Sequence, residues 1–192
     1  MSFTTIHFEQ TGGDNLERIN KIMAGIPGGA FKVTYGALKR AADTAKTKAG
    51  QFAAAEYTIG KGDFMRNVTE KVNASGGAGG VASIKISYGG HVLSLLDFDT
   101  RVSRNGTVTT KVMRNGGAST LQHAFTAKMF GSAGVFERVG NERFPVEQKF
   151  GPSTGHMMRN EKVIEQMDKT IQETFYRRID HEILRVLNGW GR

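Results

Sequence analysis

The chain has no cysteine, three prolines, one tryptophan and no apolar run near the ~20 residues that span a bilayer. Each shortage excludes something. Without cysteine there is no disulfide framework, no thiolate metal site and no cysteine nucleophile. That fits a reducing compartment, or a fold that holds without covalent staples. The first residues, MSFTTIHFEQ, carry neither the basic start nor the apolar centre of a signal peptide. Glycine, by contrast, is plentiful, at 25 of 192 residues. The glycines cluster in loops without a period, so neither a collagen repeat nor a solenoid is indicated. Length and a hydrophobic content of 39% predict a single domain over 1–192, burying roughly two-thirds or more of its unfolded surface.

The net charge is +8, and it is unevenly placed. Between Arg101 and Arg159 nine Lys or Arg stand against three Glu, whereas from Asn160 to Arg192 the signs balance at six each. A basic central segment reads either as a solvated surface or as an approach to nucleic acid. No aromatic residue lies between Thr100 and His123, where a single-strand binder would interleave stacking rings. No recognition helix or RNA-binding sheet signature is visible either. Non-specific contact with duplex DNA is therefore the alternative reading of function.

Sites for chemistry are equally sparse. GGAGGVAS, residues 76–83, precedes a strand instead of joining strand to helix, and no Gly-Lys-Ser/Thr occurs, so the phosphate-loop fingerprints fail. His7, His91, His123, His156 and His181 are scattered, with no pair at metal-ligand spacing. Asp97 and Asp99 in LLDFDT fall on one face of an expected strand but have no third ligand nearby. Ser153 stands three residues before His156, without the Gly-x-Ser-x-Gly elbow of a serine hydrolase. The expectation is no catalytic residue, no cofactor and no metal, with a hydrolase assembled from distant residues as the remaining enzymatic reading.

Periodicity predicts an α+β fold, with central antiparallel strands and hairpins flanked by N-terminal helices and a long C-terminal helix. Residues 3–9 alternate as a strand. A helix capped by Asp14 carries Leu16, Ile19, Ile22 and Met23, and Pro27 restarts a long Ala-rich helix with Phe31, Leu38, Ala41, Ala42 and Ala45 on a narrow face. A short helix opened near Asp63 is expected to align Phe64, Val68 and Val72. The run from Val81 sets Ala82, Ile84, Ile86 and Tyr88 on one strand face, with a turn at Gly89-Gly90. Two strands around RNGGA and a hairpin over 134–150 follow. The last helix, capped by Asn160 and closed by Asn188-Gly189, carries Ile164, Met167, Ile171, Phe175, Ile179 and Ile183.

GVFERVGNERFPVEQKFGPSTGHM, residues 134–157, is the densest stretch. It places Val135 and Val139 on one strand face against Phe136 and Arg138, then returns with Phe144, Val146 and Phe150 on one face. Pro145 predicts an edge or bulged return strand, since it cannot donate a ladder hydrogen bond. Gly151-Pro152-Ser153 then forces a turn toward the final helix. The stretch reads as architecture, an edge hairpin and a rigid joint.

In this order, AFTAKM, GVFERVG, RFPVEQKFGPS and HMM between Phe125 and Met158 resemble the minor tail protein Z family of tailed bacteriophages. YTIGKGDF at 57–64 is similar to a tyrosine-containing segment of that family, while Thr154-Gly155 stands where Val-Pro is usual. The resemblance implies a virion protein of the tail's head-proximal end, a tail-completion or neck protein that acts by assembly and without catalysis. It further implies a homo-oligomeric ring, a hexamer being the first expectation. Tail tube, terminator or connector subunits would be its partners, with proximity to DNA and no membrane. The chain would reside in the virion, and in the host cytoplasm during assembly. Phe136, Arg138, Pro145, Phe150, Gly151, Pro152 and Ser153 carry over as family-motif positions, with Arg138 the candidate for an intermolecular ion pair.

One segment invites a separate expectation. In RVSRNGTVTTKVMRNGGAST, residues 101–120, neither strand face is apolar enough to fix register by burial. Asn-Gly at 105–106 and 115–116 supplies two turns. Arg101, Arg104, Lys111 and Arg114 repel one another unless acids or phosphates meet them. The segment is expected to be an extended hairpin arm, mobile alone and ordered by neighbouring subunits.

Overall fold

The computed structural model describes residues 2–9, 14–76, 82–129, 131–140 and 142–189. The N-terminal alternation makes β1 (Ser2–Glu9), with Ile6 and Phe8 buried and Thr5 and His7 exposed. Helix α1 (Asp14–Ile22) buries Leu16 and Ile19, and Met23 is buried just beyond it. Ile22, expected on the same stripe, is exposed instead. Gly28 turns the chain at a φ of 67°, a conformation that suits glycine, and α2 (Gly29–Glu56) begins. Over its 28 residues it buries Val33, Ala37, Leu38, Ala41, Ala42, Ala45, Ala49 and Ala53. Phe31, expected on that face, is only half-buried. Alanine at so many contact positions lets neighbouring backbone come close.

The short helix α3 (Lys61–Asn67) buries Phe64, but it ends before Val68. Val68 is already extended and Val72 lies in β2 (Thr69–Gly76), so the helical spacing of Phe64, Val68 and Val72 is not realised. The β-branched residues Val68, Thr69 and Val72 favour the strand. In β3 (Ala82–Gly90) all four predicted residues, Ala82, Ile84, Ile86 and Tyr88, are buried. The sheet order is β1-β3-β2. The expected turn at Gly89-Gly90 is overturned, because both residues continue β3. Glycine is needed there for close approach: a Cβ would lie 2.5 Å from the Phe3 ring at Gly89 and 2.1 Å from Thr154 Oγ1 at Gly90.

After β4 (Val92–Ser94), a single 3-10 turn (Leu95–Asp97) is capped by Ser94 Oγ, which accepts from the Leu96 N–H at 3.2 Å. Strands β5 (Asp99–Val102), β6 (Val108–Lys111) and β7 (Ser119–Leu121) form an antiparallel sheet in that order. A four-stranded sheet follows, from β8 (Ala124–Met129), β9 (Ser132–Arg138) and β10 (Val146–Ser153), ordered β4-β10-β9-β8. Leu95, Val108, Ala124 and Val135 form a core cluster that joins these two sheets, with Val112 and Leu121 packed against it.

The short α4 (Thr154–Met157) leads to α5 (Glu161–Leu187). Asn160 caps α5 as expected, its Oδ1 accepting from the Lys162 N–H at 3.0 Å, and Gly189 closes it at a φ of 73°. Met167, Ile171, Phe175, Ile179 and Ile183 are buried along it, whereas Ile164 is half-buried. The architecture is α+β, with N-terminal helices, antiparallel sheets and a long C-terminal helix. By contacts the chain divides into two units. One comprises residues up to Thr4 with Gly50–Thr69 and Tyr88–Val163; the other comprises Thr5–Ala49, Glu70–Ser87 and the chain from Ile164 onward.

Candidate assembly surface

The family-motif positions lie in β9, in β10 and in the turns around them. Strand β9 pairs antiparallel with β8 through Phe125↔Phe136 and with β10 through Gln148↔Phe136 and Val146↔Arg138. Because side chains alternate across a strand, Phe125, Phe136, Arg138, Val146, Gln148 and Phe150 share one sheet face. Val135, Glu137, Glu147 and Lys149 lie on the other, where Lys149 Nζ meets Glu137 at 2.7 Å and Glu147 at 3.6 Å. That pairing raises the Lys149 ammonium above its ordinary range, the Glu137 contact leading.

On the first face Phe136 is fully buried, its ring 6.2 Å from that of Phe125. Arg138 holds its guanidinium carbon 5.1 Å from the Phe125 ring centroid, a cation–π arrangement. Among the described residues no carboxylate lies within ion-pair distance of Arg138. Phe150 is half exposed. A Cβ at Gly134 would lie 2.5 Å from Gln148 Nε2, so that glycine lets the Gln148 amide lie across the strand.

The motif therefore separates by burial. Phe136 and Ser153 are buried, Gly151 and Pro152 half-buried, and Arg138, Pro145 and Phe150 exposed. Gly151 is small for a reason, since a Cβ there would meet the Phe98 ring at 2.4 Å. Ser153 Oγ accepts from the His156 backbone N–H at 3.2 Å, a helix cap and not a nucleophile–base pair. Thr154 Oγ1 donates to the Gly89 carbonyl at 3.0 Å, and Thr4 Oγ1 to that of Gly155 at 2.7 Å. The joint is thereby tied down on two sides.

The edge-strand expectation for β10 is corrected, because β10 is flanked by β4 and β9. Pro145 precedes the strand and uses only its carbonyl, which accepts from the Val139 N–H at 3.0 Å. The bulge reading applies further on. Register runs Phe150↔Ser94 and then Ser153↔Val92, which leaves one extra residue on β10. Pro152, without an N–H, falls in that irregular stretch.

Residues 101–120 also depart from expectation. Register is fixed by burial after all, because Val108 has no exposure and Thr110 very little. The Thr58 N–H donates to the Val112 carbonyl and the Arg114 N–H to that of Glu56, at 2.9 and 2.8 Å. Both Asn-Gly turns form, Gly106 N–H donating to Ser103 and Gly116 N–H to Met113. The run 102–106 is exposed throughout. Oxygen acceptors meet two of the four basic residues. Arg101 donates to both carboxylate oxygens of Asp99, and Lys111 is the register partner of Asp99. Arg104 is in the exposed turn, and Arg114 Nε donates to the Ala54 carbonyl in the last turn of α2. A cation there complements the helix dipole.

Asp97 and Asp99 are not on one strand face, since Asp97 ends the 3-10 turn and Asp99 begins β5. The Asp97 carboxyl is raised above its ordinary 3.8, by burial first and by Asp63 second, with Ser94 and Arg66 opposing. The folded chain then binds that proton more tightly than the unfolded chain. Stability falls as pH rises from 3.8 through the folded value and stays lower above it. Asp97→Asn is expected to raise the thermal midpoint at about pH 7 and to leave it unchanged at about pH 3. A melting series across pH checks this.

Among the described residues no group of three or more His, Asp or Glu could hold a metal ion. Phe125 and the exposed Arg143–Phe144 pair, 5.6 Å apart, were missed from sequence because their placement depends on strand register and loop path. What the surface offers is shape, aromatic area and charge. Comparison of the chain with protein-family models, curated proteins and solved structures finds no match.

Proposed function

We propose that the chain is a structural virion protein of a tailed bacteriophage, completing the head-proximal end of the tail or the head–tail neck by assembling into a homo-oligomeric ring. The observation that carries the reading is the split within the motif. Phe136, Gly151 and Ser153 hold a hairpin and joint together, while the same sheet face leaves Arg138 without a carboxylate and Phe150 half exposed. An exposed cation on one aromatic ring, with no carboxylate beside it, suits a surface that another protein covers.

The reading is tested by removing the coding sequence from a phage that carries it and supplying the protein from a plasmid. Loss of infectious particles, with heads and tails left unjoined, and recovery on supply are expected. Normal particles without the chain would overturn it. Tight duplex binding by the purified protein that weakens steeply with salt would instead favour the nucleic-acid alternative.

A further inference from the structure

We infer that the chain associates head to tail, Phe144 of one copy entering a cleft on the next while Arg143 of the first meets Asp168 of the second. This deepens the ring reading and rests on it. Phe144 is the most exposed of the described large hydrophobic residues, at 60%, and its ring lies 5.6 Å from the Arg143 guanidinium carbon. The ring is thus left in water beside a cation.

A hole of the right kind exists elsewhere on the chain. Phe8, Leu38, Ile171, Phe175 and Tyr176 line a cleft of about 200 Å³. His7, Asp168 and Gln172 complete a lining that is part apolar and part polar. The volume exceeds the roughly 150 Å³ of a closed apolar cavity that holds benzene, so a phenyl ring fits. Asp168 also borders the cleft, where it accepts from Gln172 Nε2 at 2.9 Å. Among the described residues neither Arg143 nor Asp168 has an ion-pair partner. The exposed ring meets the aromatic and aliphatic side chains of the cleft, and the cation beside the ring meets the Asp168 carboxylate at the cleft. That charge match is why a second copy, and not an unrelated peptide, is the occupant. Ring and cleft are different surfaces, so the contact is heterologous and repeats from copy to copy, as a closed oligomer requires.

The test follows self-association of the full-length chain against concentration, by analytical ultracentrifugation and native mass spectrometry. Wild type is expected to form oligomers. Phe144→Ser, Arg143→Glu and Asp168→Arg are each expected to raise the concentration needed by about tenfold or more. The double variant Arg143→Glu/Asp168→Arg is expected to recover most of the loss. Circular dichroism verifies folding, and Arg143→Gln and Asp168→Asn replace any reversal that fails to fold. A wild type that stays monomeric, single variants that assemble normally, or a double variant without recovery would each overturn the inference. The virion reading is judged separately: a monomeric wild type whose loss still leaves tails incomplete sinks only this contact. Normal particles without the chain sink only the virion role.

Discussion

Replacing Phe136 by alanine is expected to cost about 3–5 kcal/mol of folding stability, while replacing its neighbour Arg138 costs well under half of that. Both residues occupy one face of β9, two positions apart, yet the solvent treats them differently. Phe136 has no exposure and packs tilted against Phe125, so its removal leaves a cavity that β8 and β10 cannot close. Arg138 is exposed and loses only its contact with the Phe125 ring. Urea unfolding of the two variants separates them. If the motif is divided as its burial indicates, Phe136→Ala unfolds early, whereas Arg138→Ala keeps its fold and shows its defect in assembly. Equal stability losses would mean that Arg138 is part of the architecture too.

The second large effect is expected in α5. Glu182 is almost wholly buried, and Arg185 Nε lies 2.5 Å from its Oε2. Across the gap, α2 comes so close that a Cβ at Gly36 would sit 2.6 Å from the same oxygen. A carboxylate confined in this way depends on its arginine. Arg185→Met keeps much of the side-chain bulk and leaves the charge uncompensated, for which a loss of about 3–5 kcal/mol is expected. Replacing both residues, Glu182→Met with Arg185→Met, removes the buried charge as well, and most of the loss should return. Thermal or urea unfolding of the single and double variants closes the cycle. A double variant no more stable than Arg185→Met would show that packing, and not the carboxylate, sets the cost.

Local patterns carried much of the fold. The four alternating residues of β3, the cap and stripe of α5 and the alanine face of α2 were all legible, because each depends on neighbours within a few positions. The misreadings share a cause. Gly89-Gly90 has the composition of a turn, but the approach of Phe3 and Thr154, distant in sequence, makes it strand. Pro145 does imply a missing ladder bond, but β10 starts one residue later and gains β4 as a second neighbour. Neither strand face of residues 101–120 looked apolar enough to fix register, but Leu95, Ala124 and Val135 gather around Val108. The candidate surface was half visible. The motif pointed to Arg138 and Phe150, while Phe125 joined them only once the pairing of β8 with β9 was known.

The interior position of β10 also bears on the order in which the chain can mature. β4 is made early in the sheet-forming half and β10 late, with six other segments of regular structure between them. Until the ribosome has released Ser153, β4 and β9 each present an open row of amide and carbonyl groups toward the place β10 will fill. A nascent chain stopped after β9 but before β10 holds two sticky borders facing one vacancy. Closing the sheet is thus a late, long-range step, and it falls just before α5 emerges.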